Sequence, residues 1–346
     1  MRRMRRLTPE GMVLLGIVLF VLLAVLYPAI TVLTRGAPPA APGSPDSGSP
    51  GSPDFEVIGN KKEANPTIKV WLDGTLTEMR LEDYLIGVVA AEMPASFELE
   101  ALKAQAVAAR TYTLYKRDHG GCSAHKGADI CTNSNHCQAY VTDEEMTKNW
   151  GGKKAEYLAK ITEAVNSTAG EAIYYEGETI QVFYFASAGG RTENSENVYS
   201  KALPYLRSVV SEGEENSSHY YGEVTVSIDD FKKKMKKFSP GISFDGVPLI
   251  GEITRFDSGR VQSIRIGNQS FTGREVRTAF SLNSANFTVE QAEDSITFHT
   301  IGFGHGVGMS QYGARAMALD GSDYKEILAH YYTGITLGTL DEIARG

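Results

Sequence analysis

The feature that most limits what this chain can fold into is an almost uninterrupted apolar run of 22 residues, Met12 to Leu33. A helix of that length reaches roughly 33 Å, enough to cross one bilayer. Four arginines precede the run and Arg35 alone follows it, so we expect the N-terminus to stay in the cytoplasm. A cleaved signal peptide is the alternative, but its apolar core usually spans only about 7–15 residues. The sequence favours a retained anchor.

The next segment, 34–54, is rich in Pro, Gly and Ser and lacks the apolar content to form a core, so we interpret it as a spacer. The expected organisation is a cytoplasmic tail over 1–11, a transmembrane helix over 12–33, this linker, and an extracytoplasmic domain over 55–346. Residues 36–346 hold 29 Lys and Arg against 41 Asp and Glu, so we expect no nucleic-acid partner.

Two helical segments separated by Pro94 are predicted over residues 81–116. Apolar residues recur at helical spacing from Leu81, and the proline favours an end just before it. Ser96 is expected to cap the second helix, whose alanine-rich inner face lets another element approach closely.

Later segments predict an antiparallel sheet and two closing helices. The predicted hairpin strands are 172–175 with 178–187 and 252–256 with 261–266, and the predicted helices are 309–319 and 323–331. The fold class is therefore α+β, a two-lobed domain in which sheet and helices surround a cleft.

Glu92 is the residue of the first helix with the clearest chemical interest. It lies at the helix C-terminus among Val89, Ala90, Ala91 and Met93. Helix carbonyls and poor solvation both disfavour the anion and should raise the pKa of Glu92. A carboxyl kept protonated near neutral pH is a general acid. The alternative is a helix-end carboxylate that points to water.

The second helix carries polar residues that are candidates to bind a ligand near Glu92. Lys103 and Arg110 are seven residues apart and share a face, so together with Gln105 they are candidates to bracket an anionic or carbohydrate ligand. Ordinary surface charge is an equally good interpretation.

A span of 19 residues holds three cysteines and three histidines: His119, Cys122, His125, Cys131, His136 and Cys137. Imidazole and thiolate suit tetrahedral zinc, and a site with four protein ligands would be structural. The alternative outside the membrane is a Cys131–Cys137 disulfide that leaves Cys122 free.

Two glycine-containing segments are candidate ligand-binding loops. Gly189 and Gly190 open a polar stretch after a predicted strand, which fits either a binding loop or an ordinary turn. In the segment 302–308, glycines alternate around His305, so the backbone could admit a large ligand. His305 is a candidate base or ligand contact, although a histidine that only hydrogen-bonds such a turn is commoner.

Three motifs, AAEMPASFELEALKAQAVAARTYTL, ASAGGRT and GFGHGVGMSQYGA, together resemble the stage II sporulation protein D family. These are membrane-anchored lytic transglycosylases of endospore-forming bacteria. The resemblance spans residues 66–338 and includes the N-terminal anchor.

The resemblance implies site residues. The Glu of A-E-M-P is the family's acid and base and maps onto Glu92, and the following Lys and Arg map onto Lys103 and Arg110. The expected substrate-binding set is Lys103, Gln105, Arg110, Ser187, Gly189, Gly190, Thr192, His305, Gln311 and Tyr312. Some members bind zinc, and the matching positions here are His125, Cys131, His136 and Cys137, with Cys122 as a spare thiol.

The implied activity is cleavage between N-acetylmuramic acid and N-acetylglucosamine, giving 1,6-anhydro ends during forespore engulfment. The implied fold surrounds a glycan cleft, and the implied location is the mother-cell membrane facing the septum, with a single pass. Glycan strands stripped of stem peptides, a sporulation amidase and a polytopic membrane protein are the implied partners. Two alternatives remain, a non-catalytic enhancer of a cell-wall amidase and a zinc hydrolase.

Overall fold

The computed structural model describes residues 65–339. The predicted tail, transmembrane helix and linker over 1–54 lie outside these residues. Within the described range, no helix is at once long and apolar enough to cross a membrane.

Residues 65–339 contain nine α-helices. They are α1 (Leu81–Glu92), α2 (Leu99–Asp118), α3 (Asp143–Trp150), α4 (Lys154–Ser167), α5 (Ser195–Val198), α6 (Ile228–Phe238), α7 (Gly273–Phe280), α8 (Gln311–Leu319) and α9 (Tyr324–Tyr331). A 3₁₀ turn, Gly151–Lys153, joins α3 to α4.

The strands of the described range are short. They are β1 (Thr67–Leu72), β2 (Thr75–Arg80), β3 (Ile130–Cys131), β4 (Glu171–Tyr175), β5 (Glu178–Thr179), β6 (Tyr184–Phe185), β7 (Gly190–Arg191), β8 (Val210–Ser211), β9 (Tyr221–Ser227), β10 (Ile250–Arg255), β11 (Val261–Ile266), β12 (Gln269–Phe271), β13 (Phe287–Gln291), β14 (Ser295–Ile301), β15 (Met309–Ser310) and β16 (Thr336–Thr339).

These strands form small sheets with the orders β2-β1-β3, β10-β11-β12, β13-β14-β9 and β16-β4-β5, and the two-stranded ribbons β15-β6 and β7-β8. Pairing is antiparallel except between β1 and β3 and between β6 and β15. The α+β prediction is therefore confirmed.

Two hydrophobic cores hold the described residues together. The larger one surrounds α2, whose buried alanines let α1 and α4 pack closely, and it extends to β4 and α9. The smaller core lies among β9–β14, α6 and α7, and its centre is aromatic. There Phe231 stacks on Phe280 at 5.1 Å between ring centroids, and Phe287 meets Phe298 edge to face.

The first helix follows the sequence pattern closely. Leu81, Leu85 and Val88 are fully buried on one face of α1, as their helical spacing predicts. The helix ends at Glu92, where Met93 turns to extended backbone ahead of Pro94. Glu92 is thus the last helical residue, as predicted.

Two predicted helix starts were wrong. Leu99 is the first residue of α2 and Glu98 its N-cap, because Ser96 belongs to a turn that the Phe97 N–H closes on the Pro94 carbonyl at 2.9 Å. The helix predicted from 309 begins at Gln311, since Met309 and Ser310 pair as strand β15.

The hairpin β10–β11 is confirmed, but the predicted strand 178–187 is not continuous. Only β5 and β6 have strand partners, and β6 pairs in parallel with β15 rather than antiparallel within a hairpin. Between them, the Phe183 carbonyl accepts hydrogen bonds from the Met309 N–H at 3.1 Å and the Tyr332 hydroxyl at 2.8 Å. The C-terminal segment satisfies this backbone in place of a neighbouring strand.

Candidate active site

Glu92 ends α1 in surroundings that disfavour its charged form. Burial raises the pKa of Glu92, and hydrogen bonds from the Ala139 N–H and the Gln311 side chain oppose that shift only in part. The Ala139 N–H donates to Glu92 Oε1 at 2.8 Å. The carboxyl therefore takes up a proton more readily than an ordinary glutamate, as the sequence predicted.

The amide that contacts Glu92 is held in place by its neighbour, Gln138. The Gln138 side chain is buried, and its Nε2 donates to Thr113 Oγ1 at 2.8 Å. Its Oε1 accepts from the Tyr184 hydroxyl at 2.7 Å. Gln138 thus connects α2 and β6 and fixes the backbone that presents the Ala139 N–H to Glu92.

A groove of about 310 Å³ opens at Glu92, and we call it the Glu92 groove. Its other lining residues are Ala90, Ala91, Met93, Pro94, Ala95, Trp150, Ala186, Ser217, His219, Phe303, Gln311 and Tyr312. Gln311 and Tyr312 were predicted as site residues, and the structure places both beside Glu92.

Several groove residues escaped the sequence analysis, among them Trp150, His219 and Phe303. Phe303 is 36% exposed, and its ring lies 5.3 Å from that of His219. These side chains come from distant parts of the chain, and no local pattern singled them out. The one available signal for Phe303 was its position inside the glycine-rich segment.

Gln105 is also connected to this region, through a contact with Gln311. It is fully buried, and Gln311 Nε2 donates to its Oε1 at 3.3 Å. Because Gln311 hydrogen-bonds Glu92, Gln105 orients a neighbour of the carboxyl and does not line the groove. Its own Nε2 has no hydrogen-bond partner among the described residues.

The structure does not bring Lys103 or Arg110 to the groove. Lys103 pairs with Glu100 at 2.7 Å and lies 5.8 Å from the centre of the Tyr324 ring. Arg110 is fully buried, where its guanidinium makes two bonds to Glu82, at 2.9 and 2.6 Å. Further bonds run from it to the Val165 and Glu171 carbonyls. The N–H groups of Arg110 therefore donate to partners inside the fold. Helical spacing could not indicate these partners.

The fully buried carboxylate of Glu214 holds the polar loop that begins at Ser187 in place through hydrogen bonds. Glu214 Oε2 accepts from Ser187 Oγ at 2.7 Å and from the Ala188 and Gly189 N–H groups at 2.5 and 3.2 Å. Thr192 Oγ1 accepts from the Val209 N–H at 2.8 Å, and Gly190 pairs within ribbon β7–β8. These predicted site residues contact the protein itself, and the preceding Ala186 is the one that lines the groove.

Gly302 and Gly308 allow close packing of backbone on backbone, and Gly304 and Gly306 pack against the side chains of Phe185 and Arg260. A Cβ added at Gly302 would lie 2.7 Å from the Ser187 carbonyl oxygen, and one at Gly308 would overlap the Phe183 carbonyl. Gly302 and Gly308 also have φ values of +80°.

His305 packs among the rings of Phe183, Phe185 and Tyr199. Burial, together with the positive charges of Arg277 and Arg260, lowers the pKa of His305 to about 3. Its Nδ1 accepts from the Val307 N–H at 3.1 Å, so the neutral ring carries its proton on Nε2. His305 does not line the Glu92 groove, and it lies instead in a second cavity.

The Cys/His cluster is gathered into one place. The sulfur atoms of Cys122, Cys131 and Cys137 lie within 4.8 Å of one another, and so do the ligand atoms of His125, Cys131 and His136. All three cysteines are free thiols. Three of the four predicted ligands, His125, Cys131 and His136, therefore meet, and the fourth, Cys137, lies in the other group with Cys131 and with Cys122, which was expected to be spare.

The donor chemistry of this cluster fits a zinc ion. Bonds of about 2.3 Å to sulfur and 2.0–2.1 Å to nitrogen place tetrahedral ligands roughly 3.3–3.8 Å apart. Within each of the two three-donor groups the ligand atoms lie within 4.8 Å of one another, about 1 Å beyond that spacing. His125 is already oriented, because it stacks on Trp71 with 4.7 Å between ring centroids. The cluster could therefore hold a metal ion.

Comparisons with known proteins cover most of the chain. The family model described as stage II sporulation protein matches residues 74–175, which include Glu92 and the Cys/His cluster. A second model, described as a domain of unknown function (DUF8618), matches residues 144–308.

Two curated relatives are named stage II sporulation protein D. The one from Bacillus amyloliquefaciens is 35% identical over 329 residues, 92% of this chain and 93% of that protein. The one from Bacillus subtilis is 40% identical over 263 residues, 75% of each chain. A Bacillus subtilis protein named amidase enhancer is 30% identical over 306 residues, 73% of this chain and 40% of that protein.

Proposed function

The chain belongs to the stage II sporulation protein D family of sporulation proteins, and on this premise we propose that it is a peptidoglycan lytic transglycosylase. The observation that carries the proposal is that Glu92 is the one carboxylate among the described residues lining the Glu92 groove. Glycoside hydrolases need two carboxyl groups, roughly 5–9.5 Å apart. A lytic transglycosylase needs one.

In the proposed reaction, protonated Glu92 donates its proton to the glycosidic oxygen between N-acetylmuramic acid and N-acetylglucosamine. The bond from C1 to that oxygen breaks, and the Glu92 carboxylate then takes the proton of the muramic C6 hydroxyl. The C6 oxygen attacks C1 and closes a 1,6-anhydro ring. The raised pKa of Glu92 supports the first proton transfer, and the Ala139 N–H stabilises the carboxylate formed by it.

The walls of the groove suit a glycan. Trp150, Phe303 and Tyr312 offer aromatic surface on which the apolar faces of sugar rings can pack. Gln311 and Ser217 offer polar groups for hydroxyls and acetamido groups. A small number of polar groups among aromatic walls is the usual composition of a ligand site.

The Cys/His cluster is proposed to hold a structural zinc through His125, Cys131, His136 and Cys137. A zinc with four protein ligands has no open position, so it would crosslink the loop and take no part in the reaction. Cys137 directly precedes Gln138, so a metal at Cys137 would steady the segment that presents Ala139 to Glu92.

Location and partners follow the family resemblance and remain proposals. The chain would be anchored in the mother-cell membrane by residues 12–33, with its folded part outside. There it would act during engulfment beside a cell-wall amidase and a polytopic membrane protein. An amidase that removes stem peptides would supply the bare glycan that fits the Glu92 groove best.

A second function is favoured by the relative named amidase enhancer. Under this alternative the Glu92 groove would bind glycan without cleaving it, and the chain would activate an amidase. The two functions differ in a single observable, the release of anhydro-ended fragments.

The test offers the full-length protein both intact sacculi and glycan strands stripped of peptides, followed by mass spectrometry. We expect anhydro-muramic ends from the wild type, more of them from the stripped strands, and none from Glu92→Gln. Reducing ends would indicate a hydrolase. Absence of cleavage by a folded wild-type protein would favour the enhancer. Equal release from both substrates would contradict the preference for bare glycan alone.

A further inference from the structure

A second cavity, which we call the arginine cavity, adjoins the Glu92 groove along the chain. Phe303 lines the groove, and the next two residues, Gly304 and His305, line this cavity. Its volume is about 610 Å³, within the range of small-molecule sites. Nothing in the proposed reaction uses it.

Three arginines reach the arginine cavity, namely Arg260, Arg274 and Arg277. Across residues 65–339, neither Arg274 nor Arg277 forms an ion pair with a carboxylate. Arg274 donates to the Val198 carbonyl at 2.7 Å, and Arg277 donates through Nε to the Leu282 carbonyl at 3.2 Å. Arg277 is half-buried, and a guanidinium there with no counter-charge is costly unless a ligand supplies the charge, whereas Arg274 is exposed.

Arg260 adds a buried donor without an acceptor. Its Nη atoms donate to the Arg191 and Ala188 carbonyls at 2.8 Å each, but its Nε is buried with no partner in the described part of the chain. The carboxylates of Glu193 and Glu214 offset the charge of Arg260. Its Nε lies against Gly306, where an added Cβ would overlap it, so the cationic contacts of the cavity are left to Arg274 and Arg277.

The acidic residues of the cavity are already engaged. Glu193 accepts from Ser258 Oγ and from Asn197 Nδ2, and Glu275 closes the capping box of α7 with Thr272. Because His305 stays neutral, it adds a polar aromatic wall but no charge at neutral pH. Burial and the nearby Arg274 lower the pKa of Arg277, so an anion there would relieve a repulsion.

We propose that the arginine cavity binds a carboxylate of a muramic acid residue, with Arg274 and Arg277 as its cationic contacts. The planar guanidinium matches a carboxylate with two parallel hydrogen bonds. The inference rests on the proposed function, because that function brings a muramic acid strand to the adjoining Glu92 groove. The carboxylate is either the lactyl group of a peptide-free residue or the free carboxyl group of a stem peptide.

The test measures binding of three small probes to the full-length protein by calorimetry. N-acetylmuramic acid carries the lactyl carboxylate, N-acetylglucosamine carries none, and N-acetylmuramoyl-L-alanyl-D-isoglutamine carries only a peptide carboxylate. We expect N-acetylmuramic acid to bind and N-acetylglucosamine not to bind. Binding of the peptide-bearing probe alone would support the site and assign the carboxylate to the stem peptide.

Variants locate the site. Arg277→Gln should weaken binding about tenfold or more, as expected for loss of a charge-assisted pair. Arg265→Gln, which replaces an exposed arginine on β11 outside the cavity, should bind like the wild type. If Arg277→Gln does not fold, Arg274→Gln provides the same comparison. Equal affinity for all three probes, or unchanged binding by the folded variants, would overturn the inference.

These probes have no β-1,4 bond, so binding and cleavage are scored separately. A wild-type protein that releases anhydro ends normally but binds neither carboxylate-bearing probe would overturn this inference and leave the proposed function standing. Binding without any cleavage would overturn the proposed function and leave the arginine cavity as a site.

Discussion

The Glu92 groove and the arginine cavity adjoin at the same glycine-rich segment, yet they differ in the charge that each leaves without a counter-ion. Among residues 65–339, the lining of the groove has one carboxylate and no lysine or arginine, whereas the cavity has two arginines without acidic partners. A carboxyl in such a place can become neutral by taking up a proton. A guanidinium effectively cannot lose one. The same lack of partners therefore favours an acid in one place and an anion site in the other.

Glu92→Gln should separate the two regions most strongly. We expect cleavage to fall by about 10²–10⁴-fold, the usual contribution of a general acid, while N-acetylmuramic acid binding stays unchanged. The measurement is the initial rate of anhydro-end release together with calorimetric binding. Glu293→Gln, an exposed carboxylate remote from both regions, is the matched control. Loss of both properties in a folded variant would show that the two regions are one site.

The same substitution should stabilise the fold at neutral pH. The pKa of Glu92 is higher in the folded than in the unfolded chain, so the folded state loses stability as pH rises through that folded-state pKa. Gln removes this loss, and the gain should vanish below pH of about 4, where both states are protonated. Thermal unfolding of wild type and variant at pH 7 and pH 4 measures it. A variant that melts lower than wild type at pH 7 would contradict the burial argument.

Metal removal should slow cleavage at the Glu92 groove and leave binding in the arginine cavity unchanged. Chelation should lower the melting temperature by roughly 5–10 °C and slow cleavage, because the Cys/His cluster steadies the segment before Ala139. N-acetylmuramic acid binding should persist below the new melting temperature. Cys131→Ser should be insensitive to chelator, because Cys131 belongs to both three-donor groups. Absence of zinc by elemental analysis, with no response to chelator, would exclude the metal.

Gln138→Leu should reduce turnover about tenfold, equivalent to one lost hydrogen bond of roughly 1.4 kcal/mol. Without its bonds to Thr113 and Tyr184, the backbone at Ala139 holds the Glu92 anion less well. The pKa of Glu92 should therefore rise further, and the limb of the pH–rate profile that reports Glu92 should move to higher pH. Gln291→Leu, at an exposed site on β13, is the control. If the pH–rate profile of Gln138→Leu did not shift, Gln138 would have a packing role only.

The last prediction concerns the stability effect of His305 in the arginine cavity. Its folded pKa of about 3 lies below the ordinary value of about 6.5, so the unfolded chain binds more protons between these pH values. His305 should therefore cost stability progressively as pH falls from about 6.5 to 3. His305→Gln should flatten the fall in melting temperature between pH 7 and pH 4, with His330→Gln, which lines neither the groove nor the cavity, as the control. An identical slope in His305→Gln and wild type would show that the ring takes up a proton normally.

Local patterns predicted the elements that position Glu92. Apolar spacing and Pro94 predicted the end of α1, and the residues around Glu92 predicted that its pKa is raised. Asp257, Ser258 and Gly259, turn-forming residues between the segments 252–256 and 261–266, indicated the hairpin β10–β11. Each of these depends on neighbours within a few residues.

The residues that the sequence did not identify depend on contacts across the chain. Gln138 binds Thr113 and Tyr184, and Glu214 binds a loop that begins at Ser187, separations that no spacing rule addresses. Arg110 was assigned to a ligand because helical periodicity gives its face, but not the residue opposite that face. Glu82, 28 residues earlier, occupies that position.

The solitary carboxylate of the groove also fixes the proton balance of the proposed reaction. The proton that leaves Glu92 with the departing sugar is replaced by the proton of the C6 hydroxyl, so the enzyme ends each turnover in the protonation state in which it began. No proton has to be exchanged with buffer between successive cuts. Turnover should then be independent of buffer concentration, and a strand that stays bound could be cut again without a reloading step.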